Sequence, residues 1–243
     1  MSSNFNEFQQ PVGAGLPDWQ GAQFPAAQHI TGRYCKLERI NAERHAKDLY
    51  EAYRDAPDSR HWTYLAAGPF TTFDSIFVYL TKIETLSDPM HYAVIDLATM
   101  KAVGTLALMR IDAPNGVIEV GSVTYSPRMQ RSRLSTEVMS LLLTYVFEEL
   151  GYRRFEWKCD ALNAPSRKAA SRFGFTFEGI FRQVVVVHQR NRDTAWHSII
   201  DSEYPALQEA YKIWLDARNF DARGQQITRL ADVISKVQNQ HAI

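Results

Sequence analysis

Two short stretches carry residues suited to chemistry on an anionic, acyl-bearing ligand. The first, Gln130-Arg131-Ser132-Arg133-Leu134-Ser135-Thr136, is a polar and basic turn between an alternating run, Ile118 to Tyr125, and a long apolar helix. A strand that enters a helix through such a turn forms an anion site, because the first helical amides lack partners within the helix. The second, Asn163-Ala164-Pro165-Ser166-Arg167, opens another helix one strand later and brings a hydroxyl to the same crevice. Together they point to a phosphate-bearing, nucleotide-like ligand and acyl chemistry. A plainer alternative stands beside that reading. Arg128, Arg131 and Arg133 can simply solvate a surface turn, while Asn163, Pro165 and Ser166 suit the start of any helix.

Taken in order, and closed by Gly174-Phe175, this segment resembles the GNAT superfamily of acetyl-CoA-dependent N-acetyltransferases, in particular its RimJ/RimL-like branch. That family's phosphate loop reads Gln/Arg-x-x-Gly-x-Gly/Ala, and Arg133 and Ser135 stand at its two small positions. A Cβ at position 133, on backbone of positive φ, would cost about 1–2 kcal/mol. In return, the guanidinium supplies bidentate phosphate contacts.

The resemblance implies that Gln130 to Thr136 hold the pyrophosphate and that Asn163 holds the pantetheine arm. Ser166 would protonate the departing thiolate. Arg167 and Lys168 either meet the nucleotide's outer phosphate or are simply solvated charges on the helix. Val123, Thr124 and Tyr125 would bind through their main chains, with amides of the Val120 to Val123 region stabilising the acyl oxygen. Glu119 and Asp160 are the candidate bases. The implied reaction is direct acetyl transfer to a primary amine, on a peptide N-terminus or a small molecule. An acyl-CoA sensor that has lost turnover is the alternative, kept open by Arg133. Because no dedicated base is evident, a less basic amine fits better. An α-amino group near pKa 8 costs about 1.4 kcal/mol to deprotonate at pH 7, and a lysine about 4.6 kcal/mol.

The elements that must position these residues follow from periodicity. Tyr34 to Ile40, His91 to Asp96, Ala102 to Arg110 and Val117 to Tyr125 read as strands, as do Arg153 to Asp160, Phe175 to Val187 and Thr194 to Asp201. Asn41 caps a helix through Arg54, and a second helix spans Phe73 to Leu86. The helix Thr136 to Leu150 is apolar on several faces, as expected of a crossover packed on a sheet. Helices over Pro205 to Arg218 and Ile227 to Val237 end the chain. Their apolar stripes pack on the same subunit or form a homodimer. The expected architecture is α/β (α+β): a GNAT-like mixed, mostly antiparallel sheet with helices on both faces. Residues 1–32 form an irregular N-terminal arm, 33–203 the acetyltransferase domain and 204–243 a helical extension.

Composition bounds the rest. The chain has 243 residues, of which 45% are hydrophobic, enough for one substantial core. Its 27 basic and 27 acidic residues balance, which disfavours a nucleic-acid partner. The seven histidines show no metal-binding spacing, so no metal is expected. Cys35 and Cys159 form no redox pair, and Cys159 reads as a buried strand thiol. Met1 to Gln10 lacks the pattern of a secretory signal, and no apolar run approaches the roughly 20 residues of a membrane span. The expected setting is cytoplasmic. Trp62, Tyr64 and Phe70 either wall an acceptor groove or pack a hydrophobic loop onto the domain.

Overall fold

The computed structural model describes residues 4–241, so the first three residues of the arm and the last two of the tail lie outside it. Eight strands form the main sheet: β3 (His29–Thr31), β4 (Cys35–Arg39), β5 (Met90–Asp96), β6 (Lys101–Asp112), β7 (Val117–Tyr125), β8 (Arg154–Asp160), β9 (Thr176–Val187) and β10 (Arg190–Ile200). Their spatial order is β3-β4-β5-β6-β7-β8-β10-β9. Only β7 and β8 run parallel; every other neighbouring pair is antiparallel. A helical crossover separates β7 from β8, and parallel neighbours require such a connection.

Two layers of helix cover the sheet. Alternation along β5 shows how: Tyr92 and Val94 face one core, Ala93 and Ile95 the other. The smaller core lies under α1 (Ala42–Arg54) and α2 (Phe73–Glu84). The larger lies under α3 (Arg133–Thr144), α4 (Ala164–Arg172), α5 (Tyr204–Leu215) and α6 (Leu230–His241). Most of the stripes expected in the tail are internal: Leu207, Tyr211, Trp214, Leu230, Ile234 and Val237 are all buried in that larger core, whereas Ile227 is exposed and precedes α6, which begins at Leu230. Helix α1 starts at the expected cap. Asn41 Oδ1 accepts the Arg44 amide, and the Asn41 amide donates to His45 Nδ1, whose pKa burial lowers. Asn41→Ala is expected to cost about 1 kcal/mol, readable as a shift in the urea midpoint.

Three local readings change. The arm is not wholly irregular: β1 (Asn4–Phe5) pairs β2 (Pro11–Val12), and β3 joins the main sheet. Trp19 docks by donating Nε1 to the Pro114 carbonyl at 2.8 Å, whereas Phe24 is exposed. Second, the gap between the strand ending at Val187 and the one expected from Thr194 is only His188 and Gln189. Both have positive φ, so the turn matches the twist of the flanking strands and β10 begins at Arg190. Third, the long helix begins at Arg133, ahead of Thr136. Ser132 is its N-cap, with Oγ accepting from the Ser135 amide. The helix closes in a π turn, Tyr145–Glu149.

Candidate active site

The parallel pair β7–β8 holds for only four residue pairs, Val117↔Arg154 to Val120↔Trp157. Beyond it β7 stays bonded to β6 as far as Tyr125, and β8 stays bonded to β10 as far as Asp160. The sheet therefore opens between two strand edges whose backbone groups have no strand between them. Such edges recruit an extended, amide-bearing partner. At the opening β7 carries one extra residue: Thr105 pairs with Thr124, but Ala107 pairs with Gly121. Ser122 takes the strain at φ 49°. A bulge of this kind turns a backbone amide out of the ladder, here at the mouth of the gap. Val123, Thr124 and Tyr125 follow directly on the same edge. The Tyr125 carbonyl is capped by Gln130 Nε2 at 2.8 Å.

The turn into α3 lies at the same end of the gap. Its left-handed residue is Arg131, at φ 57°, and Arg133 has no such strain because it already belongs to the helix. This corrects the expectation of a strained Cβ at position 133. The Arg133 side chain also leaves the turn. Its guanidinium lies over the Tyr34 ring at 4.8 Å and the Phe220 ring at 4.9 Å. Leu134, Ser135 and Thr136 are buried, and Thr136 Oγ1 accepts from Arg172 Nη2 at 2.9 Å. These three can serve a ligand only through their main chains. Arg131 is exposed, and Arg128 is ion-paired to Asp55, whose pKa that bond lowers.

Across the gap, Asn163 Oδ1 accepts the Ser166 amide at 3.1 Å, so its carboxamide oxygen serves as a helix cap. Ser166 Oγ accepts from Trp157 Nε1 at 3.0 Å, which leaves the hydroxyl hydrogen for another partner. Burial raises the pKa of the neighbouring Cys159 thiol, and the Ser166 hydroxyl offsets part of that rise. Cys159 is thus a buried, protonated thiol. Arg167 turns inward, with Nη1 donating to the Ala161 carbonyl and the guanidinium over Phe177 at 5.3 Å.

The candidate bases are both engaged. Glu119 is buried and pairs with Arg110 at 2.7 Å and Lys158 at 3.1 Å. Lys158 is shared with Glu156 at 2.6 Å and sits over the Trp196 ring at 3.8 Å. Removing a proton acceptor from such a network leaves buried charge unpaired, which suits a structural role. Asp160 Oδ1 accepts the Leu162 amide at 2.8 Å and shapes the turn into α4.

Beside the bulge lies a cavity of about 70 Å³, between the polar side of Ser122, Thr124 and Thr105 on the sheet and the rings of Tyr53, Trp62 and Phe70. Trp62 stands edge-on to Tyr53 at 5.2 Å and to Phe70 at 5.1 Å. Gly68, at φ +80°, lets the backbone pass under the indole; a Cβ there would come within 2.3 Å of it. The loop is tied across the opening. Tyr64 donates its hydroxyl to the Leu162 carbonyl at 3.2 Å, and His188 Nε2 lies 3.0 Å from the Leu65 carbonyl. Trp62 is buried in the smaller core with Phe70 packed against it, so the rings both pin the loop to the domain and line the cavity, while Tyr64 ties the loop to Leu162. Tyr53, on the inner face of α1, also lines the cavity. Its hydroxyl meets Thr105 Oγ1 at 3.2 Å and the Thr124 carbonyl at 3.3 Å, and burial pushes its pKa up. Ser122, Tyr53, Thr105 and Trp157 were not picked out by sequence, where nothing distinguishes them from ordinary strand and helix residues. Among the described residues, no group of three or more His, Cys, Asp and Glu side chains is arranged to hold a metal ion, and no helix is long and apolar enough to cross a membrane.

Comparison with known proteins agrees with this geometry. Residues 36–176 match the family model for the acetyltransferase (GNAT) domain. A GCN5-related N-acetyltransferase from Brucella melitensis is 46% identical, with a TM-score of 0.88 over 90% of this chain and 100% of that one. A probable GNAT-family acetyltransferase from Chromobacterium violaceum is 39% identical, with a TM-score of 0.74 over 81% and 98% of the two chains. An uncharacterized N-acetyltransferase, p20 of Bacillus licheniformis, is 26% identical over 58% of this chain and 80% of its own length. The chain belongs to the GNAT family and is an N-acetyltransferase that uses acetyl-CoA.

Proposed function

We propose that the protein acetylates a primary amine, on a peptide N-terminus or a small molecule, by direct attack within a ternary complex. The observation that carries this reading is the parting of β7 and β8 after Val120 and Trp157, with the Ser122 bulge at its mouth. The residues present fit acetyl-CoA. Open strand edges suit the amide-bearing pantetheine, and the capped start of α3 suits the pyrophosphate. Acetyl-CoA supplies the activated acetyl group as a thioester. Amides at the bulge orient the acyl oxygen and stabilise the charge that develops on it. Ser166 Oγ holds the proton for the departing sulfur, and the aromatic cavity holds the acceptor away from water. Glu119 and Asp160 are already bonded, which favours an amine of low basicity that needs no strong base.

The stacking of Arg133 away from the turn supports turnover over a degenerate sensor site, because the side chain does not fill the phosphate loop. We further propose the RimJ/RimL-like branch, a catalytic unit over residues 33–203 and a cytoplasmic setting for two free, buried cysteines. A homodimer would use a surface other than the α5 and α6 stripes, which are buried within the subunit. Release of free CoA from acetyl-CoA, followed with a panel of peptides and small amines, tests the activity. Binding is read separately: acetyl-CoA at 100 times its Kd should stabilise the fold by about 2.7 kcal/mol. A thermal shift without CoA release from any amine would favour the sensor. Absence of both at millimolar acetyl-CoA would refute the reading.

A further inference from the structure

We infer that the C-terminal segment after α5 completes the acetyl-CoA site: Phe220 and Tyr34 grip Arg133 so that the N–H edge of its guanidinium receives a phosphate of the nucleotide end. The inference rests on the acetyl-CoA reading proposed for the start of α3.

Four side chains from three distant segments come together. Arg33 lies over one side of the arrangement, 5.2 Å from the Tyr34 ring; Arg133 lies 4.8 Å from that ring and 4.9 Å from Phe220. A guanidinium is planar, and its five N–H donors lie in the plane. Aromatic rings take its faces and leave that donor edge open. The chemistry that matches an open guanidinium edge is a planar pair of anionic oxygens, as on a phosphate.

The contrast with other arginines of the chain supports this. Arg110, Arg128 and Arg154 each pair with a carboxylate; Arg133, like several other arginines, forms no ion pair with a described residue, so no carboxylate there competes for its donors. Arg133 is also the first residue of α3, beside helical amides that themselves favour an anion.

The grip is built rather than incidental. Tyr34 is fixed from below, its amide donating to Glu137 Oε2 of α3 at 2.7 Å. Phe220 stands edge-on to Trp214 at 5.0 Å and bridges to Gln226 through the backbone. Trp214 Nε1 donates to Gln226 Oε1 at 3.0 Å, and the Asn219 carboxamide ties Trp214 to Thr228. The bend at Gly224 brings the backbone alongside Arg133; a Cβ there would stand 3.9 Å from Nη2. Holding the guanidinium between two rings removes the freedom that a surface arginine loses on binding, which raises affinity by preorganisation.

Calorimetric titration of the full chain with acetyl-CoA tests this. Phe220→Ala and Arg133→Lys are each expected to weaken binding about tenfold, the second because an ammonium has no planar edge. Phe220→Tyr, which keeps a ring on the guanidinium, is expected to restore the parent affinity. In steady-state assays the KM for acetyl-CoA should rise while kcat and the acceptor KM hold. A merely structural extension would instead lower stability and disturb all three together. Repeating the titration with 3′-dephospho-CoA locates the contact. Loss of the difference between parent and Arg133→Lys assigns the 3′-phosphate, and persistence assigns the pyrophosphate. Unchanged acetyl-CoA affinity in folded Phe220→Ala, or tighter binding by Arg133→Ala, would overturn the inference while leaving the acetyltransferase reading intact. Failure of the parent protein to bind acetyl-CoA would remove both.

Discussion

Replacing Ser166 by alanine is expected to lower kcat by about 10²-fold or more while leaving the Kd for acetyl-CoA nearly unchanged. Its hydroxyl accepts from Trp157 Nε1, so its own hydrogen is available to the sulfur that departs. A proton donor acts in the transition state, and such groups contribute about 10²–10⁴-fold. An interaction made only there lowers kcat and kcat/KM together. The same change strands the indole N–H, so a stability loss of about 1–3 kcal/mol accompanies it. Trp157→Phe separates the two effects, since it removes the indole donor but keeps the serine. CoA release at saturating acetyl-CoA, with calorimetric Kd values beside it, makes the measurement. An unchanged kcat in folded Ser166→Ala would reduce Ser166 to a first-turn residue of α4.

The second large effect is on the fold. Glu137→Ala should destabilise the protein by about 3–5 kcal/mol, because it strips three backbone amides of one buried acceptor. Glu137 Oε1 accepts from Arg33 at 2.8 Å, and Oε2 accepts from Tyr34 at 2.7 Å and Cys35 at 2.8 Å. Gly32 leaves room for the carboxylate: a Cβ there would sit 2.6 Å from it. Denaturant midpoints for the parent, Glu137→Gln and Glu137→Ala are expected to fall in that order, since glutamine keeps one accepting oxygen. A loss below about 1 kcal/mol for the alanine variant would mean that water replaces the carboxylate. The damage should reach ligand binding as well, because the Tyr34 amide is one of the three.

How much of this was legible depends on the range of the signal. Caps and alternation are local, and Asn41, the β5 faces and the strand either side of α3 follow from neighbouring residues. The start of α3 was placed late for a specific reason. Ser132 is both a good cap and a position in the phosphate-loop pattern, and the pattern claimed it. β3 has three residues, too few to show a period. The bulge at Ser122 has no local signature, because it is set by where β6 pairs on either side of it. The fate of Arg133 was least legible. Its two rings come from positions 34 and 220, joined only once β4 and the C-terminal helices have packed. Glu119 reads as a base in sequence because its partners Arg110 and Lys158 lie on separate strands.

The four-pair ladder between β7 and β8 has a thermodynamic consequence. Between β8 and β10 seven pairs are made, and apart from the three-pair edge joint of β3 with β4 the sheet's ladder is thinnest at the proposed ligand site. On one side of that seam lie five strands with α1 and α2, and on the other lie three strands. Side chains of the larger core span the seam, but the hydrogen-bonded ladder scarcely does. A ligand laid along both edges would act as a rivet between two blocks. Beyond raising the melting point, it should make unfolding more concerted, bringing calorimetric and van't Hoff enthalpies into closer agreement than in the free protein.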